Sequence, residues 1–101
     1  MDSSLVLVSK QSANTPSLSA STTVLSSNTA RAGFNIQNHS TATLYILLGT
    51  GASSTVFHFA LKASTATDDG TGGSVSQNEG TVFSGPITAA GAPLRYTVME
   101  L

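Results

Sequence analysis

The chain has 101 residues, a length that fits one domain, and charged residues make up 9% of it, with a formal net charge of −1. Four Lys and Arg residues cannot neutralise many phosphates, so composition excludes a nucleic-acid footprint and an electrostatic membrane binder. The absence of cysteine excludes a disulfide framework, Cys-ligated zinc and thiol chemistry.

Strand patterns run along the whole chain. Alternating runs rich in Val, Ile, Thr, Phe and Tyr are separated by Gly, Asn, Ser and Pro clusters, and helical periodicity is hard to find. The predicted strands cover residues 4–9, 21–26, 33–37, 42–48, 55–62, 79–84, 86–89 and 94–100. This spacing predicts an all-β fold, a single antiparallel β-sandwich or jelly roll of seven to eight short strands with an extended N-terminal arm.

The predicted arm, residues 1–20, consists of a strand and a linker, and residues 21–101 form the sandwich domain. Its strand is apolar on both faces and therefore needs cover on both sides. It lies either in the chain's own core or against a neighbouring sheet edge. The apolar residues of this arm strand, together with three residues of the domain that are expected to face outward, form the candidate interface: Leu5, Val6, Leu7, Val8, Tyr45, Val56 and Met99.

Within the domain, residues 42–48 are largely apolar on both faces, which predicts a central strand. In residues 55–62 the alternation predicts that Phe57, Phe59 and Leu61 face the core, whereas Val56, His58 and Ala60 face outward. Residues 38–41 are typical of a hairpin turn, and residues 63–77 are typical of a long polar loop.

Hydroxyl groups replace the missing charges. Ser and Thr together supply about thirty residues, and a hydroxyl is cheaper to bury than a charge because it finds backbone partners. Such a surface suits packing against other protein subunits. No apolar stretch approaches the roughly 18 residues of a membrane-spanning helix, and the N-terminus lacks the basic region of a signal peptide.

Catalytic and metal-binding constellations are weak. Ser with His39 or His58 and Asp68 or Asp69 could supply triad residue types, but no Gly-x-Ser-x-Gly elbow is present and His58 fits a strand face. Asp68, Asp69 and Glu79 could offer oxygens to calcium, but their spacing matches no EF-hand and Asp-Gly is a common turn pair. We therefore expect no enzyme, no cofactor and no metal site.

One segment resembles a known family. Arg31-x-Gly-x-x-Ile-x-Asn-x-Ser40, then Thr43-Leu-Tyr-Ile46 and Leu48-Gly-Thr-Gly-Ala-Ser53, resemble small β-sandwich virion proteins of tailed bacteriophages. The resemblance covers about residues 20–62, and the last ten residues, ending Tyr96-Thr-Val-Met-Glu-Leu101, extend it. From the residues alone, Arg31 is expected to bridge to a carboxylate or carbonyl, and Gly33 to mark a bulge or a close backbone approach.

The resemblance implies a structural protein without catalytic residues. We expect a capsid decoration (cement) protein, made in the bacterial host cytoplasm and located on the capsid surface. Its partners would be the major capsid protein and further copies of itself, a trimer before a dimer, with neither nucleic acid nor membrane. One alternative is a tail, neck or fibre-base component. A second is a carbohydrate-binding module, which is less favoured because such sites usually present exposed aromatic residues and this chain has no Trp and two Tyr.

Overall fold

The computed structural model describes residues 8–11, 21–78, 82–91 and 94–100. The predicted all-β class is confirmed, because these residues form two four-stranded antiparallel sheets. Among them there is no helix that could cross a membrane. The strands are β1 (Val8–Gln11), β2 (Thr22–Leu25), β3 (Phe34–Asn38), β4 (Leu44–Leu48), β5 (Phe59–Leu61), β6 (Ser74–Gln77), β7 (Ile87–Ala90) and β8 (Tyr96–Glu100).

The strands pair as a nested hairpin. β4 pairs with β5, β3 with β6, β2 with β7 and β1 with β8, all antiparallel. Two more pairings, β3 with β8 and β4 with β7, complete the sheets. The first sheet has the order β1-β8-β3-β6 and the second has the order β2-β7-β4-β5. A long hairpin rolled into two sheets in this way is a jelly roll.

The core lies between the two sheets and follows from the two-residue period of each strand. In β3, Phe34 and Ile36 are buried, whereas Asn35 and Gln37 remain partly exposed. Burying each side chain of this size stabilises the fold by about 1.5–3 kcal/mol. The buried apolar cluster comprises Val24, Leu25, Phe34, Ile36, Leu44, Ile46, Leu61, Ile87, Ala89, Leu94, Tyr96 and Val98.

Residues 42–48 are central as predicted, because β4 lies between β7 and β5. The prediction for residues 55–62 is wrong in part. The strand is confined to Phe59–Leu61, and Phe57 is exposed although the alternation placed it in the core. The reason is that residues 49–58 leave the ladder and fold across the outer face of the second sheet, as described below.

Three other predicted elements need correction. The polar stretch 63–77 is not all loop, since its last four residues form β6. Residues 38–41 are not a hairpin turn, because β3 and β4 belong to different sheets. Residues 82–84 form no strand, and the rest of the strand predicted from residue 79 lies outside the described residues.

Arg31 joins the two sheets at one end of the roll. Its side chain is fully buried, and Nε donates to Glu100 Oε2 of β8 at 2.8 Å. Its other nitrogens donate to carbonyl oxygens beside the second sheet: Nη2 to Ser26 at 2.6 Å, and Nη1 to Phe83 at 2.6 Å and Gly85 at 3.1 Å. The expected bridge from Arg31 to a carboxylate and to carbonyls is therefore confirmed.

Asn38 performs the corresponding task at the opposite end of β3. Its buried Nδ2 donates to Ala42 O at 2.8 Å and lies 3.2 and 3.1 Å from the carbonyl oxygens of Leu61 and Lys62. Its Oδ1 accepts the Ser40 amide at 2.9 Å. The side chain thereby fixes the crossing from β3 to the second sheet, which explains why this turn is no hairpin.

Two glycines permit close backbone approaches around β3. A Cβ on Gly33 would lie 2.7 Å from Gln77 O, which confirms the close approach expected at this position. A Cβ on Gly72 would overlap the Asn38 carbonyl. Neither neighbour is the flexible end of a side chain, so both positions require glycine.

We predict that Arg31→Met destabilises the domain by about 3–5 kcal/mol, because it leaves Glu100 and three carbonyls without a buried donor. Urea unfolding followed by far-ultraviolet circular dichroism measures the change. Arg95→Met, which removes a more exposed arginine, serves as the matched control and should cost much less. Equal losses for the two variants would contradict the proposed importance of the buried arginine.

Candidate interaction surfaces

Residues 49–58, which we call the tip loop, cover the outer face of the second sheet. Thr88 points outward from β7, yet it is 2% exposed because the loop lies over it. Its hydroxyl donates to Gly49 O at 2.8 Å and accepts the Ala52 amide at 3.2 Å. Ala52 is itself buried. One threonine hydroxyl thus fixes the first half of the loop to the sheet.

The second half of the tip loop is held by a turn and by His58. Ser53 and Val56 exchange two main-chain hydrogen bonds, and Ser53 Oγ accepts the amides of Thr55 and Val56. His58 donates its amide to Ile46 O at 2.7 Å, and its Nδ1 accepts the Leu48 amide at 3.1 Å. These bonds fix the second half of the loop to β4 and within its own turn.

An apolar patch lies on the tip loop. Val56 is 50% exposed, Phe57 is 39% exposed, and the Phe57 ring lies 4.9 Å from the ring of half-buried Tyr45. We call these three residues the tip patch. The sequence from residue 40 to residue 61 contains no Asp, Glu, Lys or Arg, and exposed Lys62 follows it directly.

Sequence reasoning placed Tyr45 and Val56 in the interface but missed Phe57. The period-two alternation predicted that Phe57 is buried in the core, whereas in the structure Phe57 is exposed on the outer face. The available signal was Ser53-Ser54-Thr55, since hydroxyl side chains favour turns and here break the strand before Phe57. The rings of Tyr45 and Phe57 are neighbours and Val56 precedes Phe57 in the chain, but whether these residues bind a partner stays a prediction.

Met99 lies on the other side of the molecule. It points outward from the first sheet, is 38% exposed, and lines a shallow groove of about 200 Å³ with Phe34, Asn35, Ser76 and Asn78. Met99 and the tip patch therefore lie on opposite faces of the roll, and whether Met99 contacts a partner stays a prediction.

The arm residues bear on the interface differently. Val8 begins β1, where its Cα partner is Glu100, so residues 8–11 of the predicted arm pair within the chain's own first sheet. Leu5, Val6 and Leu7 lie outside the described residues. The division of the chain at residue 20 stays a prediction.

The loop between β5 and β6 carries a cluster of titratable groups. Arg95 holds Asp68 through both carboxylate oxygens, with Nε at 2.8 and 2.9 Å and Nη2 at 2.6 Å. This hydrogen bonding by Arg95 lowers the pKa of Asp68 from 3.8, and the bonds to Asp68 raise the pKa of Arg95. The next carboxylate, Asp69, accepts bonds from Thr71 and the Ala66 amide, and the Thr71 bonds lower its pKa from 3.8.

His39 brings the residue types of a hydrolytic triad close to one another. Its Nε2 lies 3.1 Å from Thr97 Oγ1, and its Nδ1 lies 3.8 Å from Asp68 Oδ1. The latter distance is too long for a hydrogen bond, and both oxygens of Asp68 are held by Arg95. Without an oriented base there is no activated nucleophile, and we assign the cluster to fastening the loop against β8.

The calcium ligands considered from the sequence are not assembled either. Asp68 and Asp69 direct their carboxylates to neighbours within the protein, and Glu79 lies outside the described residues. The described ranges contain no group of three His, Cys, Asp or Glu residues able to hold a metal ion.

The chain matches no protein-family model, no curated protein and no solved structure.

We predict that Asp68 titrates below its ordinary value of 3.8 and that Arg95→Gln returns its pKa toward that value. Because the pKa of Asp68 is lower in the folded state, the contact stabilises the loop at pH values above the unfolded-state pKa. This stabilisation is lost as the pH falls through the folded-state pKa. Carboxyl carbon chemical shifts from pH 6 to 2 measure both midpoints. Asp69, which is held by Thr71 instead, is the internal control, and its titration midpoint should be the same in Arg95→Gln as in the unchanged protein. An Asp68 midpoint at or above 3.8 in the unchanged protein would contradict the ion pair.

Proposed function

We propose that this chain is a virion structural protein of a tailed bacteriophage, a capsid decoration protein that binds and stabilises the lattice of the major capsid protein. The observation that carries the proposal is the tip patch. Val56 and Phe57 are exposed on a loop that hydrogen bonds already hold in place. A pre-organised apolar surface binds with a smaller loss of entropy than a flexible loop would.

The surroundings of the tip patch support a protein partner. The tip loop contains no Asp, Glu, Lys or Arg and is rich in hydroxyl groups, so protein can cover it without removing a charge of the loop from water. Exposed aromatic residues are also enriched where proteins contact one another. The jelly roll itself occurs in viral capsid domains and in lectins, so the fold is compatible with the proposal by analogy.

The action would be mechanical. Each copy would bridge neighbouring capsid subunits, and the lattice would present many equivalent sites at a high effective concentration, so modest individual contacts would add up. The protein would be made in the host cytoplasm and would be located on the capsid surface. It would associate with the major capsid protein and with further copies of itself.

We predict that the double variant Val56→Ser/Phe57→Ser binds phage heads at least about tenfold more weakly, since losing two exposed apolar contacts is worth more than about 1.4 kcal/mol. Co-sedimentation of the purified chain with undecorated heads measures the binding. Met99→Ser, on the opposite face of the roll, is the matched control and should bind as the unchanged chain does. Unaltered binding by the double variant would refute the role of the tip patch.

Copy number separates a decoration protein from a tail, neck or fibre-base component. A decoration protein should occur in proportion to the capsid protein, whereas a tail or neck component occurs in the few copies of a ring. Quantitative mass spectrometry of purified virions gives this ratio. A ring-like copy number would move the proposal to the tail or neck, and absence from virions would overturn it.

A further inference from the structure

Two of the four edge strands have features that oppose pairing with another chain. β2 has an irregular register between Thr23 and Leu25, and β5 is three residues long and followed by exposed Lys62. A bulge, a very short edge and a charge are the usual means of preventing edge-to-edge association. β6 has none of these, since Ser74–Gln77 is uncharged, free of proline and regularly paired with β3.

The side of β6 that faces away from β3 carries main-chain groups for hydrogen bonding. The Asn38 amide donates to Gly73 O at 2.9 Å, which fixes the phase of the ladder between β3 and β6. Main-chain groups alternate in direction along a strand, so those of Val75 and Gln77 point to β3 and those of Ser74 and Ser76 point away. Ser74 and Ser76 are exposed, and beyond the β3 ladder no main-chain hydrogen bond joins them to another described residue.

We propose that this edge binds the β6 strand of a second copy, so that two first sheets join as one continuous eight-stranded sheet across a two-fold axis. An antiparallel strand pair is self-complementary under a two-fold rotation. Residues directly opposite each other must share a face, so the axis passes through a residue and not between two residues. The two central residues of β6, Val75 and Ser76, give the longest overlap of the paired strands. The first register places Ser74 opposite Ser76, and the second places Ser76 opposite itself.

The charge distribution favours a second copy as the occupant. Residues 70–78 contain no charged residue, so neither register sets like charges opposite each other. The same uncharged strand supplies donors and acceptors to its partner in equal number, which a two-fold pair requires. The pairing makes the dimer the unit of self-association, ahead of the trimer expected from the sequence. It holds whether or not the chain belongs to a virion.

Sedimentation velocity of the full chain over a range of concentrations tests the dimer. The unchanged protein should shift from 10.2 kDa to twice that mass as concentration rises. Ser74→Lys/Ser76→Lys places lysines opposite each other in either register and should remain monomeric. The matched control Thr23→Lys/Ser27→Lys adds the same charge at two exposed positions, one in β2 and one just after it, and should still dimerise. A monomer at every concentration, or a dimer that survives the β6 lysines, would overturn the proposal.

Cross-linking provides a measurement that does not depend on disrupting the edge. Because the chain has no cysteine, Ser74→Cys/Ser76→Cys should form a disulfide-linked dimer under mild oxidation in both registers. Thr23→Cys/Ser27→Cys should stay largely monomeric under the same conditions. Equal cross-linking of the two variants would indicate random collision and would count against the β6 pairing. Failure of head binding with an intact dimer would reject the proposed function while leaving this inference in place.

Discussion

The contact between Arg31 and its four acceptors holds one end of the jelly roll together. Three of these acceptors are carbonyls from segments next to β2 and β7, and the fourth is the carboxylate of Glu100 on β8. A guanidinium has five N–H donors in a fixed plane, so it can satisfy several buried acceptors at once. Loop carbonyls that face the interior would otherwise lack partners, and the two sheets would lose their common anchor at that end.

A buried amide completes the frame at the other end of β3, where Asn38 binds the carbonyls of Ala42, Leu61 and Lys62. The resemblance to phage virion proteins rests on the segment Arg31-x-Gly-x-x-Ile-x-Asn-x-Ser40. This segment contains the two buried hydrogen-bonding side chains, Arg31 and Asn38, and the close backbone approach at Gly33. These residues build the scaffold. The surfaces that we propose for contact with partners lie elsewhere, on the tip loop and along β6.

The sequence predicted the fold well where one face of a strand is buried. Alternation identified β3, β4 and β8, because each packs one row of side chains on the core. It failed for Phe57 because the Val56 and Ala52 amides donate to the side chains of Ser53 and Thr88 and end the strand there, and a period-two pattern does not reveal such bonds. It missed β6 because Val75 is the one apolar residue in that strand. The outward positions of Val56 and Met99 were predictable, but their partners were not.

The nested pairing of the strands also constrains how the chain reaches its native state. β4 and β5 are close in sequence, whereas each outer pair, ending with β1 and β8, joins segments progressively further apart. Closing longer loops costs more entropy before any contact compensates for it, and folds dominated by distant pairings form slowly. Folding is therefore expected to start with the pairing of β4 and β5 and to proceed outward, so that β1 pairs with β8 last. In a cell, that delay would be the period when unpaired strand edges are most open to aggregation.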